Sequence, residues 1–556
     1  MPGWKQRFGT DRSRSPPRGL STTNTVKNWL LKWAWGGISA ADVVRSAEAF
    51  KRDGNKDPAV DRILKGSRSI QNAERAVENL LPNDLVESVK LAASAVHEYV
   101  PPTNMLHWIQ KKSASHLRLR LGAKQGGIAS WWRQLLGTTA GPTFWAQHPY
   151  LIGRSPEDLK YYLPVVLHED AVPISEHQSA YVRSWSSLLS IGKELETRLM
   201  ICSYLKSANA LEDKSWCPIL QDFQCLAGPQ AAGDWGAILL FVTGDMDWIC
   251  NDIGLPHFNS NSCCFLCQAN DTDLPHNDYH RDAAWRSTCK DEATFRADLR
   301  RPLHPLAASP IFSRFTYRLD LLHLLDHHGV VSHVVGNIFA MHVLSPSPIL
   351  AGATQEDRMD FLNDDLKGFY RTHGVQNRIP ALKLSNIMKD SFPQLHGKAI
   401  KAANSRALMP FALALQQRAT AADHSDINRH ALKVVESLNK AIDLMYGVGC
   451  FMTVGEHQRL EGLLHRMGVN YQLLAKRTCD VGEMKWKQVP KHHYCVGHLA
   501  EQASLVNPRF VQCYGFESLV GKIALIWQKC QDGPYHRIAQ HKVMLKYRAG
   551  FALELS

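Results

Sequence analysis

No apolar run in the chain approaches the roughly 20 residues that a membrane-spanning helix needs, so no span is expected. The N-terminal stretch, MPGWKQRFGTDRSRSPPRG, has no apolar core of the kind a secretory signal carries. Cysteine is sparse, 13 of 556 residues, odd in number and irregularly spaced. That excludes a regular disulfide framework and predicts a reducing, intracellular compartment. No internal repeat is apparent, which argues against a solenoid or propeller. Acidic residues are in deficit, 52 against 64 lysines and arginines, a formal charge of +12. Such an excess points to an anionic partner, most simply nucleic acid, although a merely basic protein has the same balance. With 45% hydrophobic and 21% charged residues the chain is a folding one. Its length predicts about three or four domain-sized units.

Residues 1–22 read as a disordered basic tail. Arg12, Arg14 and Arg18 alternate with Ser13, Ser15, Pro16 and Pro17, a composition that cannot bury enough surface to fold. It suits phosphate contact, a nuclear address or plain solvation. Residues 23–155 read as a helical, basic region. Val26, Trp29, Leu30 and Trp33 share one helical face, Ser39 is placed to cap the next helix, and Ala73, Val77, Leu80 and Leu81 make a further face. Leu106 to Leu136 mixes Lys111, Lys112, His116, Arg118, Arg120, Lys124 and Arg133 with Trp108, Trp131 and Trp132. That mixture fits phosphate contact with some base stacking, or amphipathic helices whose tryptophans are core. No zinc-finger or recognition-helix signature appears there.

Four short β-rich runs follow, at 163–168, 184–189, 198–202 and 238–242, and they predict a mixed sheet over 156–262. Carboxylates stand where two of these runs end, Asp170 after the first and Asp245 after the last, with Asp247 a competitor. Residues 263–505 read as a mainly helical insertion, and 506–556 as a closing segment whose amphipathic helix carries Glu517 in its first turn. Glu461 and Glu501 are rivals to Glu517. Three carboxylates brought together from Asp170, Asp245 and Glu517 would suit two Mg²⁺ or Mn²⁺ ions, which take oxygen ligands and drive in-line phosphoryl transfer.

Cys264 and Cys267, with Cys263 beside them, form a Cys-x-x-Cys that is either a pair of buried thiols or a zinc half-site. For zinc, the expected closing ligands are His323 and Asp320, three apart on one helical side, with His276, His280 and Cys289 as alternatives. His492, His493 and His498 read chiefly as surface or packing histidines that could also approach DNA phosphates or a metal.

The stretch from Leu163 to about Tyr547 resembles the transposases of CACTA-type elements, members of the DDE superfamily. The residues that carry the resemblance are Leu167-His168-Glu169-Asp170-Ala171-Val172-Pro173, Gly244-Asp245 followed by Cys264 and Cys267, Asp320-Leu321-Leu322-His323 ahead of Gly329-Val330, and Phe516-Glu517 opening an apolar helix. The resemblance implies an RNase H-like α/β core with a helical N-terminal region and a large, mainly helical insertion. It implies Asp170, Asp245 and Glu517 as ligands of two catalytic ions, and a structural zinc on Cys264, Cys267, Asp320 and His323. The implied activity is cleavage and strand transfer of double-stranded DNA in the nucleus, by a homo-oligomer. A catalytically inactive, transposase-derived DNA- or chromatin-binding protein, or an RNase H-like nuclease acting on RNA or hybrids, would share much of this pattern.

Overall fold

The computed structural model describes residues 22–66, 87–92, 95–207, 212–483, 485–530 and 536–555. The basic tail and the helical face of Ala73, Val77, Leu80 and Leu81 lie outside them. The architecture is mixed α/β: a five-stranded mixed sheet, flanked by helices, with a large helical body inserted before the last two helices.

The N-terminal helices are α1 (Thr22–Ala34), α2 (Ala40–Arg52) and α3 (Pro58–Gly66). Ser39 caps α2 in a capping box with Asp42, each side chain bonding the other's backbone N–H. Val26, Leu30 and Trp33 are buried in a small core of their own that also takes in Ala549 near the C-terminus. A hairpin of β1 (Glu87–Ala92) and β2 (Ala95–Tyr99) interrupts this part, where the sequence reading expected helices alone. The alternation at Val89 and Leu91 is its only signal, and two residues of that period are too few to outweigh the helical patterns around them.

Four short helices come next: α4 (Pro102–Lys112), α5 (Ala114–Leu121), α6 (Ala129–Leu136) and α7 (Gly141–Gln147). Then the sheet begins with β3 (Tyr162–Pro173), β4 (Ser179–Ser187) and β5 (Leu199–Leu205), an antiparallel meander. Helix α8 (Glu212–Ala227) crosses over to β6 (Gly236–Gly244), which runs parallel to β3. The fifth strand, β7 (Tyr317–Leu319), runs parallel to β6, giving the order β5-β4-β3-β6-β7. β7 comes from inside 263–505, the stretch read as insertion. Only three residues long and centred on Arg318, it has no apolar period to betray it. Every residue of β4 but the first, and every residue of β5 and β6, is buried, so these strands read as continuous rather than alternating.

The helical body comprises α9 (Val330–Val343), α10 (Gln355–His373), α11 (Ala402–Ala422), α12 (Asp426–Gly447) and α13 (Val454–Asp480). α9 is buried nearly all round, as its continuous apolar sequence requires. The chain returns to the sheet through α14 (Tyr514–Cys530) and α15 (His536–Leu555); α14 packs on β3 and β4.

Among the described residues one ion pair is fully buried on both sides. Glu169 of β3 lies opposite Arg183 of β4, and both side chains are fully buried. Glu169 Oε1 accepts from Arg183 Nη2 at 2.8 Å and from Tyr204 Oη at 3.0 Å, and its Oε2 accepts from Trp248 Nε1 at 3.0 Å. A buried charge deprived of its partner is costly. Arg183→Leu is therefore expected to lower unfolding stability by about 3–5 kcal/mol. Urea denaturation checks this, and a loss below about 1 kcal/mol would contradict it.

Candidate metal centres

Side chains alternate along β3, so His168 and Asp170 face one side while Glu169 faces the core. This decides the fate of the two adjacent acids: Glu169 is neutralised by Arg183, and Asp170 has no such cation. In the parallel pairing, His168 stands opposite Thr243. Asp170 and Asp245 are each two residues further on, so they stand at the same level. Asp245 lies just past the end of β6; Asp170 lies inside β3, which continues to Pro173 and so does not end where the sequence reading placed it. On the other side of β6, Gly244 pairs with Leu319, which brings Asp320 level with Asp245. Gly244 is required at the turn, since a Cβ there would lie 2.4 Å from the Trp248 ring. Asp245 caps the turn that follows, its Oδ1 accepting from the Trp248 N–H at 2.6 Å.

Glu517 comes to this level from above, in the first turn of α14. Asp320 anchors that helix start, accepting from the Cys513 N–H at 2.7 Å. Asp326 accepts from Tyr514 Oη at 2.8 Å and pairs with Arg406 of α11. Ligand atoms of His168, Asp170 and Glu517 all lie within 4.8 Å of one another. His168 is fully buried and stacked on Phe516, ring centroids 4.5 Å apart, and neither of its ring nitrogens has a hydrogen-bond partner. Sequence reasoning missed His168, although its i, i+2 spacing from Asp170 on a strand was a usable signal.

The electrostatics are those of crowded acids. Burial pushes the Asp170 carboxyl well above the usual carboxylate range, and the charges of Glu517 and Asp245 push it further. Burial also raises Glu517, offset by its hydrogen bond with Asp170. That bond raises Asp170 and lowers Glu517. Burial would raise Asp320 as well, but the His323 ring, with Nδ1 at 2.6 Å, and backbone N–H donors hold it at about 2. His323 is raised despite burial by Asp320 and by the more distant Asp170 and Asp245.

The competing acids are elsewhere. Asp247 is exposed and accepts from Asn251 Nδ2 at 2.8 Å. Glu461 is exposed. Glu501 pairs with Arg314 and with His498.

A second cluster joins Cys264, Cys267, His493 and His498, all buried, with ligand atoms within 4.8 Å of one another. Cys264 Sγ lies 3.4 Å from His498 Nε2, and Cys267 Sγ lies 3.3 Å from His493 Nε2. The remaining ring nitrogens are engaged outward: His493 Nδ1 donates to the His276 carbonyl at 3.2 Å, and His498 Nδ1 lies 3.1 Å from Glu501 Oε2. This is how metal-binding histidines are oriented, with Nε2 left for the ion. The thiols accept from the N–H groups of Leu266 and Ala269, two residues on from each cysteine, at 3.3 and 3.4 Å. Burial opposes a thiolate at Cys264, yet the Cys267 hydrogen bond and the two imidazoles bring it well below the ordinary thiol range. Two thiols and two Nε2 atoms in a closed, buried setting could hold a metal such as zinc, which takes this donor set tetrahedrally.

The closing ligands differ from expectation. Asp320 and His323 bond each other at the carboxylate cluster and take no part in the cysteine group. His276, His280 and Cys289 are not in it either; His276 contributes its carbonyl from outside. The physical reason is local. Tyr494–His498 forms a π-helical turn, whose i→i+5 bonding aligns residues five apart. α-Helical spacing favoured the pair three apart, Asp320 and His323, and left His493 and His498 as packing residues. Glu501→Gln, which weakens the orientation of His498, is expected to reduce zinc affinity about 10–100-fold in chelator competition. An unchanged affinity would remove Glu501 from the site.

The sequence matches no family model and, in a search of curated proteins, no relative.

The basic N-terminal stretch sorts itself by burial. Trp108, Trp131 and Trp132 are core residues, 7%, 8% and 0% exposed. Trp132 Nε1 donates to the Tyr162 carbonyl at 3.0 Å, and the Trp108 ring packs on Phe551. They are not free to stack on bases. Lys111, Lys112, Arg118, Lys124 and Arg133 are exposed, whereas Arg120 is buried and pairs with Glu554. No helix among the described residues is long and apolar enough to cross a membrane.

Proposed function

We propose that the protein is a DDE-type transposase with an RNase H-like core, cutting and joining double-stranded DNA with two Mg²⁺ or Mn²⁺ ions held by Asp170, Asp245 and Glu517. The observation that carries this reading is the meeting of Asp170 and Glu517, 347 positions apart in sequence (517 − 170), within 4.8 Å at the level of Asp245. Acids so crowded repel one another unless a proton or a cation neutralises them. The mixed sheet, with aspartates in a row and a glutamate on the covering helix, supports an RNase H-like core. Bound divalent ions would lower the pKa of an attacking water or 3′-hydroxyl and neutralise the leaving oxygen. The chain's own part is positional. Asp170 and Asp245 are fixed by strands, and Glu517 by a helix whose start is pinned by Asp320 and Asp326. His323, whose ring pKa is raised by Asp320, stands beside these acids.

A structural zinc on Cys264, Cys267, His493 and His498 would tie the end of the helical body to the sheet. The exposed lysines and arginines of the N-terminal helices would hold DNA through its phosphates, with little sequence preference. A nuclear location and a homo-oligomeric assembly go with this reading. The test is nicking of supercoiled duplex DNA with Mn²⁺, wild type against Asp245→Asn. Activity in wild type alone supports the enzyme. Equal activity in both, or none in either, leaves the protein a DNA-binding relative without this chemistry. Faster cleavage of an RNA–DNA hybrid than of duplex DNA would favour an RNase H-like nuclease instead.

A further inference from the structure

A cavity of about 430 Å³ lies beside the carboxylate cluster, with Met246, the residue after Asp245, in its wall. Lys487, Lys491, His328 and His333 line it, with His276 at its edge. The only carboxylate in its lining is Asp271, exposed, with Oδ1 2.9 Å from His276 Nδ1. The lining also offers two ammonium groups, Lys487 and Lys491, the second of them within the field of Asp245 and Asp320 as well. His333 is 4% exposed and its Nδ1 has no hydrogen-bond partner; His328 Nδ1 has none either. Among the described residues, His328 is one of three non-glycine residues with positive φ, at 51°. Lys491 Nζ fixes that turn by donating to the His327 and His328 carbonyls, both at 3.3 Å. Backbone held in the left-handed region at a non-glycine residue is costly and persists where the surroundings over-determine it. Burial and the charges of Lys389 and Lys491 push the His328 ring below its ordinary range, and burial with His492 pushes His333 well below it. Phe258 also lines the cavity, an apolar surface of the kind a base can lie against.

We propose that this cavity binds a backbone phosphate of a nucleic-acid strand, one step away from the bond at the carboxylate cluster, through Lys487, His328 and His333. The identity of the strand rests on the nucleic-acid reading of the neighbouring carboxylates; the binding of a phosphate does not. Lys487 and His328 would provide the donors, and Phe258 an apolar surface for the attached nucleoside. The Lys487 contact is charge-assisted, so affinity falls as salt rises.

The experiment uses the full chain, as purified and without added divalent ions, and a fluorescein-labelled decathymidylate read by anisotropy. Lys487 is exposed and His328 half-buried, so the double variant Lys487→Gln/His328→Gln should fold; its melting curve and zinc content check that. The double variant is expected to bind at least about tenfold more weakly than wild type and to lose salt dependence. Lys487→Arg should bind as wild type does, and inorganic phosphate should displace the probe from wild type. Equal affinity in the double variant and wild type overturns the proposal. So does thymidine 5′-monophosphate binding as tightly as the decamer, which would make the ligand a free nucleotide. If nicking fails but the binding results hold, the carboxylate reading falls and this site stands. If nicking holds with an unaltered double variant, only this site falls.

Discussion

Replacing Asp170 by Asn is expected to abolish Mn²⁺-dependent nicking and, in the absence of divalent ions, to raise the melting temperature. The first effect follows from its place among His168, Glu517 and the end of β6. Removing an outer-sphere partner of a metal costs about 10–100-fold, so removing a ligand should cost more than about 100-fold. The second effect follows from crowding. Burial, Glu517 and Asp245 all raise the Asp170 carboxyl, so the fold favours its protonated form. The sign is then fixed: the group's contribution is whole below the usual carboxylate range and is lost as pH climbs through its elevated folded value. At neutral pH wild type carries that penalty and the Asn variant does not. Melting curves from pH 4 to pH 8 should show the variant gaining on wild type as pH rises. Mn²⁺ should then stabilise wild type and leave the variant unmoved. A pH-independent difference between the two proteins would mean that the Asp170 carboxyl is not raised by its surroundings.

Cys264→Ser is expected to lose a bound zinc ion and to lower the melting temperature by roughly 10 °C. Structural zinc supplies about 10–16 kcal/mol in small zinc-binding peptides. A fraction of this, several kcal/mol, corresponds to a shift of about 10 °C for a unit of a few hundred residues. The size reflects what the cluster closes: Cys267 and His493 are 226 residues apart, and a tie across so long a loop removes much unfolded-state freedom. His498→Ala should behave alike. His323→Ala should keep a full equivalent of zinc, because His323 sits at the carboxylates. Metal analysis of the three variants decides it. Zinc retained in Cys264→Ser, or lost in His323→Ala, would reverse the assignment of the ligands.

The two clusters differ in how much of them could be read in advance. Asp170, Asp245 and Glu517 adjoin apolar runs that hydrophobic periodicity marks well, although β3 runs on past Asp170 to Pro173. Strand runs at 163–168 and 238–242 locate the first two, and the amphipathic face of Phe516, Leu519, Val520 and Ile523 locates the third. The Cys-x-x-Cys is visible as a local motif because its ligands are three apart in one loop. Its partners were not, since a π-helical turn has no periodic signature and His493 and His498 are remote in sequence. Asp320 and His323 were seen as a pair for the right local reason and set in the wrong place, because β7 was too short to be recognised as a strand.

Composition, periodicity and capping residues, all local properties, determined by themselves that this is a mixed α/β chain with a basic balance, a helical body between its first strands and its last helices, and acids beside its apolar runs. Which acid is neutralised and which is left crowded was decided only by tertiary structure. Glu169 and Asp170 are neighbours of the same charge, and the pleat of β3 sends one to Arg183 and the other to Glu517. The same holds for the thiols, whose imidazole partners are chosen by the path of some two hundred intervening residues. Burial and charge pairing depend on what the folded chain brings alongside, and no window of sequence contains that.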